Sequence, residues 1–218
     1  MRIVIAGGHG RIALRLERLL SAAGHEPVGI VRRPEQAGDL REAGAEPVVL
    51  DLESASVEEV AEVLRGADAA VFAAGAGPGS GADRKDTVDR AAAVLFADAA
   101  ERAGVRRFVV VSSMGADAGH PGDEVFDAYL RAKGAADDEV RSRPALDWTI
   151  LRPGALTDDA GKGTVRLGAT TGRGPVPRDD VAATVAELLD TPATAGLTLE
   201  LIAGPTPLSV AVKDVAGN

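Results

Sequence analysis

The sequence predicts an α/β fold: a single domain over residues 1–218, built as a doubly wound parallel sheet with helices on both faces. Three observations lead there. Short β-branched apolar runs alternate with stretches of helical spacing, and the first run closes into a glycine-rich turn. No repeat, low-complexity linker or composition break divides the 218 residues.

Taken in order, the first strand is expected at 2–6, where RIVIA is apolar and β-branched. Ile12, Leu16, Leu19, Leu20 and Ala23 then recur at helical spacing, and Gly24 supplies the stop. Strands follow at 27–31 and 47–50. Ser56 with Glu59 forms a capping box ahead of Val57, Val60, Ala61 and Leu64, in a helix that Gly66 ends. After a strand at 69–73, Val88, Ala92, Leu95, Ala99 and Ala103 make a helical stripe closed by Gly104. Strands at 107–111 and 148–151 flank the segment DAYLRAKGAAD, read as helix. Val181, Val185, Leu188 and Leu189 give a late helix before a last strand at 198–202. Two irregular stretches remain, the loop 75–82 and the Gly/Thr-rich 156–177, and small substrate-side elements are expected in the second. Both follow carboxyl ends of strands, where open α/β sheets bind their ligands.

Bulk composition excludes several function classes. A net charge of −9 argues against a nucleic-acid partner. With no cysteine and three scattered histidines, His9, His25 and His120, neither a disulfide nor a metal site is expected. A strand begins at once, without a signal-peptide pattern, and no apolar run approaches a membrane span. The expectation is a cytoplasmic protein, without a membrane partner, that acts on a small molecule.

The chemistry starts at the first turn. Gly7, Gly10 and Ala13 give GxxGxxA between the first strand and the first helix, with Arg11 and Ile12 inside it. Small residues there permit a tight turn and close backbone approach to a pyrophosphate, which the helix N-terminus favours. His9 either donates to a phosphate or simply covers it. The second strand runs into Arg32 and Arg33, where guanidinium groups would pair with a 2′-phosphate that a carboxylate would repel. NADP(H) is therefore favoured over NAD(H), the plainer alternative being two surface arginines. Asp51, ending the third strand beside Leu52, is placed to meet the adenine amino group; Ala73, Ala74 and Gly75 end the fourth strand along the same cofactor path. Tyr129 and Lys133 stand four apart, one above the other on a helix face, so the ammonium favours the phenolate form of the tyrosine.

With the glycine turn, the arginine pair, Asp51, the serines of RFVVVSS and YxxxK in this order, the chain resembles the short-chain dehydrogenase/reductase superfamily and its Rossmann-type domain. More narrowly it is similar to the atypical NAD(P)-binding branch of small proteins labelled epimerases or dehydratases, akin to biliverdin-IXβ reductase/flavin reductase. LRPG after WTI and the later RDDVA carry that narrower likeness, which covers essentially the whole chain. The resemblance implies that Tyr129 exchanges a proton with the substrate oxygen and that Lys133 supports it while holding the nicotinamide ribose. It implies a polarising serine at Ser113, with Ser112 the alternative. Asp89 matches the branch's aspartate where other members use an asparagine; a solvent-facing helix position is its alternative reading. Arg152, Pro153, Gly154 and Ala155 are implied to pass beside the nicotinamide.

The function so implied is NADPH-dependent hydride transfer to a small carbonyl, quinone or flavin-like acceptor. Its alternatives are a non-catalytic NADP(H)-binding sensor and an NAD(P)-dependent epimerase or dehydratase. The aromatic set is Phe72, Phe96, Phe108, Phe126, Tyr129 and Trp148. Most of the phenylalanines read as core, so no aromatic cage for a flat ligand is expected. A monomer and a homodimer are equally compatible with the sequence.

Overall fold

In the computed structural model the described residues are 1–77, 80, 81 and 84–217. Nine strands form one mixed, mostly parallel sheet. They are β1 (Arg2–Ala6), β2 (Glu26–Val31), β3 (Glu46–Val49), β4 (Ala69–Phe72), β5 (Arg107–Val111), β6 (Asp147–Pro153), β8 (Thr164–Gly168), β10 (Leu197–Ala203) and β11 (Thr206–Pro207). Their order is β11-β8-β10-β6-β5-β4-β1-β2-β3. Where the sequence predicted a strand, the observed ends shift by no more than two residues.

Strand alternation sends side chains to two cores. Ile3 and Ile5 of β1 join the core covered by α1 (Ala13–Ala22), α6 (Arg178–Leu189) and α7 (Leu208–Ala216). Val4 and Ala6 join the core covered by α3 (Val57–Leu64), α4 (Ala92–Ala103) and α5 (Val125–Arg141). In this second core Phe96 lies between Phe72 and Phe108, with ring centroids 6.1 and 5.7 Å apart. A short α2 (Ala37–Glu42) packs Leu40 against Val31 and Ala45.

Local signals act as their chemistry predicts. Ser56 Oγ accepts from Glu59 N, while Glu59 Oε2 accepts from Ser56 N at 2.8 Å. Gly24, Gly66 and Gly104 all take the left-handed conformation, φ +81°, +73° and +75°, where a Cβ is costly.

Two departures shape the ligand side. The stretch 156–177 is not simply irregular: β8 adds antiparallel to β10 at the far edge, and β7 (Ala155–Thr157) pairs with β9 (Pro175–Pro177) in a two-stranded sheet. At that edge the sheet becomes mixed: only residues 154–163 separate β6 from β8, too few for a parallel crossover, and β8 runs antiparallel to both β10 and β11. Ahead of α4, Lys85–Ala91 winds as a π-helix, an irregularity that recurs at functional sites.

Candidate functional site

Two adjoining cavities lie along the carboxyl ends of β1, β2, β4, β5 and β6. The smaller, about 260 Å³, is walled by Gly7, Gly10, Asp51, Leu52 and Arg84, with Arg32 at its rim. The larger, about 1350 Å³, contains Arg11, Ile12, Ser113, Tyr129, Lys133 and the segment Pro153, Gly154, Ala155 in its walls. Ala73, Ala74 and Gly75 line both, as do His9 and Gly10.

The glycine turn is built for a backbone-sized ligand approach. Gly7 has φ +79°, and a Cβ there would stand 2.6 Å from Ala74 Cα. Gly10 N donates to Gly7 O at 2.8 Å, and Leu14 N donates to Gly10 O as α1 begins. The free amides at the start of α1 are the donors that suit a pyrophosphate. A Cβ at Gly10 would meet Gly7 O at 3.0 Å, so the close approach depends on glycine at both positions. These residues fit a dinucleotide. His9 Nε2 pairs with Asp39 Oδ2 at 2.6 Å, and Arg11 pairs with Asp158, which also holds Arg178 at 3.0 Å.

The two arginines after β2 separate. Arg32 reaches the small cavity and pairs with Glu53 at 3.6 Å. Arg33 takes an exposed position: its backbone N donates to Gln36 Oε1 at the start of a 3₁₀ turn, and the residue does not line the cavity. The second guanidinium there belongs to Arg84, bonded to Glu53 Oε2 at 2.6 Å. That hydrogen bond holds the Glu53 carboxyl below its usual range, with Thr87 and the charge of Arg32 assisting. Asp51 Oδ1 accepts from Glu53 N at 3.1 Å. Within the loop 75–82, Pro78, Gly79 and Ala82 lie outside the described residues.

The chemistry-bearing groups meet at α5. Tyr129, Lys133 and Asp137 follow one another at four-residue spacing, on one helix face. Lys133, 3% exposed, pairs with the fully buried Asp89 at 3.3 Å and donates to Ala74 O and Val111 O at 3.4 and 3.3 Å. Burial alone would lower the ammonium's pKa. The charges of Tyr129, Asp89 and Asp137 outweigh it and hold the lysine above its ordinary value. Asp89 is thus an internal counter-ion, not a solvent-facing helix position, and its Oδ2 also accepts from Ala76 N at 3.3 Å.

Of the two serines, Ser112 is buried and donates to Asp137 Oδ2 at 2.9 Å. Ser113 lines the large cavity, and among the described residues its hydroxyl donates to the neighbouring Met114 O, at 3.3 Å. Arg152 does not pass beside the cofactor path: it turns to Asp137, at 2.7 Å through Nη2 and 2.8 Å through Nε. Burial pushes the Asp137 carboxyl up, opposed first by Arg152.

Sequence reasoning missed four contributors. Phe126, 62% exposed, stacks on Tyr129 with centroids 5.8 Å apart and planes 30° apart. One exposed aromatic ring therefore stands beside Tyr129 at the cavity mouth, outside the core that most of the phenylalanines fill. Lys85 brings a second ammonium to the tyrosine, with Nζ 5.3 Å from the ring centroid. Arg84 and Glu53 arrive from segments distant in sequence, and only the proximity of Arg84 to Asp89 on one helical stretch hinted at a site role.

Backbone contact fixes the relation between α5 and the serine loop. Gly134 sits inside the helix where a Cβ would collide with the main chain of Asp117 and Ala118. Asp117 N also donates to Leu130 O at 3.2 Å. No cluster of three or more metal-ligating side chains occurs among the described residues. No helix among them is long and apolar enough to cross a membrane.

Comparison with known proteins shows the family to which the chain belongs. The model of a family described as NAD(P)H-binding matches residues 7–192. The uncharacterized sugar epimerase YhfK of Bacillus subtilis (strain 168) is 37% identical over 214 residues, covering 98% of this chain and 99% of that protein. A solved structure from Bacillus halodurans, whose name proposes an NAD-dependent epimerase/dehydratase, is 39% identical with a TM-score of 0.90. It covers 98% of this chain and 99% of its own. ChuY, described as an anaerobillin reductase from Escherichia coli O157:H7, is 27% identical with a TM-score of 0.78, over 94% of this chain and all of its own.

Proposed function

The chain belongs to the NAD(P)H-binding family, within a group of oxidoreductase- and epimerase-like proteins, and from that premise we propose that it is an NADPH-dependent reductase of a small carbonyl, quinone or flavin-like acceptor. One observation carries the reading: Tyr129, Ser113 and the Lys133–Asp89 pair meet at a cavity that opens onto the glycine turn. A protein that only senses the cofactor has no use for a tyrosine, a serine and a buried ammonium so arranged.

When bound, the nicotinamide supplies the hydride for the acceptor's electrophilic carbon. The protein's part is proton transfer and alignment. The Tyr129 hydroxyl donates its proton to the acceptor oxygen and recovers one from solvent. Lys133, fixed by Asp89 and two carbonyls, keeps a positive charge behind that transfer and would hold the nicotinamide ribose of a bound cofactor. Ser113 turns its hydroxyl from Met114 O to the same oxygen and stabilises the charge developing there. Phe126 covers one face of Tyr129 and limits water at the mouth.

NADPH is preferred in this reading because guanidinium groups border the small cavity where the adenosine half would lie. The names of two relatives place an epimerase beside the reductase. Against it stands the small substrate side: beyond β6 most of the chain serves the sheet and its covering helices, leaving the β7–β9 region as cap. The test is NADPH oxidation, with NADH in parallel, against aldehydes, diketones, quinones and flavins. Selective use of NADPH on a carbonyl is expected, and Tyr129→Phe should lower it about 100-fold or more with cofactor affinity retained. Full turnover by Tyr129→Phe on every acceptor removes the tyrosine from the chemistry. Tight NADPH binding with no turnover on any acceptor gives the sensor reading instead.

A further inference from the structure

Arg32, Glu53 and Arg84 come from three different connections and meet above the small cavity. Arg32 follows directly on β2, Glu53 lies in the loop after β3, and Arg84 immediately precedes the π-helical segment. Glu53 Oε2 is 2.6 Å from Arg84 Nη2 and 3.6 Å from Arg32 Nη1, while its Oε1 accepts from Thr87 Oγ1 at 2.8 Å. All three side chains keep solvent contact, with 44%, 26% and 39% of Arg32, Glu53 and Arg84 exposed. The cluster therefore owes nothing to core packing and is free to exchange partners.

We infer that Arg84 is the second ligand of the NADP(H) 2′-phosphate beside Arg32, and that Glu53 is an internal anion which this phosphate must displace. The inference rests on the NADPH reading above and adds to it the residues that set cofactor choice. A phosphomonoester carries a charge of about −1.5 to −2 and three acceptor oxygens, against a single charge and two oxygens on Glu53. It outcompetes the carboxylate for two guanidinium groups, each able to make bidentate contacts. NAD(H) brings hydroxyls in place of that phosphate. It leaves the Glu53–arginine contacts intact, and the carboxylate then serves as acceptor for the ribose. Glu53 thus moderates a preference that the arginines alone would make steep. Arg33 takes no part, since it does not line the cavity.

The experiment is calorimetric titration of the full chain with NADP⁺ and with NAD⁺, which needs no acceptor substrate. For the unaltered protein the ratio Kd(NAD⁺)/Kd(NADP⁺) should exceed one. Arg84→Gln should reduce that ratio about tenfold by weakening NADP⁺, with NAD⁺ changed less than about threefold. Glu53→Gln should raise it several-fold, tightening NADP⁺ and weakening NAD⁺. Equal weakening of both cofactors by Arg84→Gln makes Arg84 an adenine or structural contact and overturns the inference, as does an unchanged ratio in Glu53→Gln. Both failures leave the NADPH reading standing if Arg32→Gln still lowers the ratio. A ratio near one in the unaltered protein, indifferent to Arg32→Gln, overturns the cofactor reading and this inference together.

Discussion

Glu17 offers a direct test of the electrostatics, because no hydrogen bond compensates its burial. It lies on α1 at 0% exposure, and neither carboxyl oxygen has a hydrogen-bond partner among the described residues. A Cβ on Gly29 would stand 2.5 Å from Glu17 Oε1 and one on Gly8 2.9 Å, so the carboxyl fills the space those two glycines leave. Burial raises its pKa from 4.5 to about 8, with Arg18 opposing weakly. The sign follows from linkage. The folded chain keeps this proton over a range where the unfolded chain has lost it. Stability from this group is therefore fully present below pH 4.5 and is lost as pH rises towards 8. At about 1.4 kcal/mol per pH unit, the span amounts to roughly 5 kcal/mol between the two plateaus, and about 3 between pH 5 and pH 8.

Glu17→Gln keeps the shape and removes the titration. Urea unfolding, followed by the fluorescence of the one tryptophan, Trp148, should be measured for both proteins from pH 5 to pH 8. The difference in unfolding free energy should swing in favour of the Glu17→Gln variant by about 3 kcal/mol across that range. Parallel pH curves for the two proteins would refute the reasoning, since they would mean that Glu17 is ionised and solvated in the fold.

Three other outcomes are expected. Gly7→Ala puts a Cβ against Ala74 in a left-handed backbone, so NADP⁺ affinity measured by calorimetry should fall at least about tenfold. Asp137→Ala leaves Arg152 without its carboxylate and should cost about 3–5 kcal/mol in chemical denaturation, whereas Asp137→Leu with Arg152→Met should recover most of it. Phe126→Ala removes an exposed ring and should shift stability by less than about 0.5 kcal/mol, while raising KM for aromatic acceptors more than for aliphatic ones in steady-state assays.

Much of the fold was legible because its signals are local. The β-branched runs mark the central strands, glycines at 24, 66 and 104 end helices by taking positive φ, and Ser56 with Glu59 caps α3. What escaped depends on contacts between distant segments. The pairing of β8 with β10 is a matter of long-range register, and its TVRLG run alternates over only five residues, too few to announce a strand inside a Gly/Thr-rich stretch. The site divides along the same line. Gly7, Gly10, Tyr129 and Lys133 are read from spacing within one turn or helix. Glu53 and Arg84 become neighbours only when two loops meet over the sheet edge. Nothing in LRLERLL distinguishes Glu17 from a solvated helix charge, and only packing against two glycines reveals its burial.

The glycine within α5 has a consequence for how this molecule changes over time. A helix-interior glycine costs about 1 kcal/mol relative to alanine, and here it admits the main chain of residues 117 and 118 against the helix. The spacing between the serine loop and the tyrosine is consequently carried by peptide backbone, which no ordinary side-chain substitution redraws. Rim residues such as Val125, Phe126 and Leu156 stand outside that contact and expose much of their surface. On the reading proposed above, rim residues can be exchanged one at a time for a new acceptor while the backbone-set spacing of Ser113 and Tyr129 is kept.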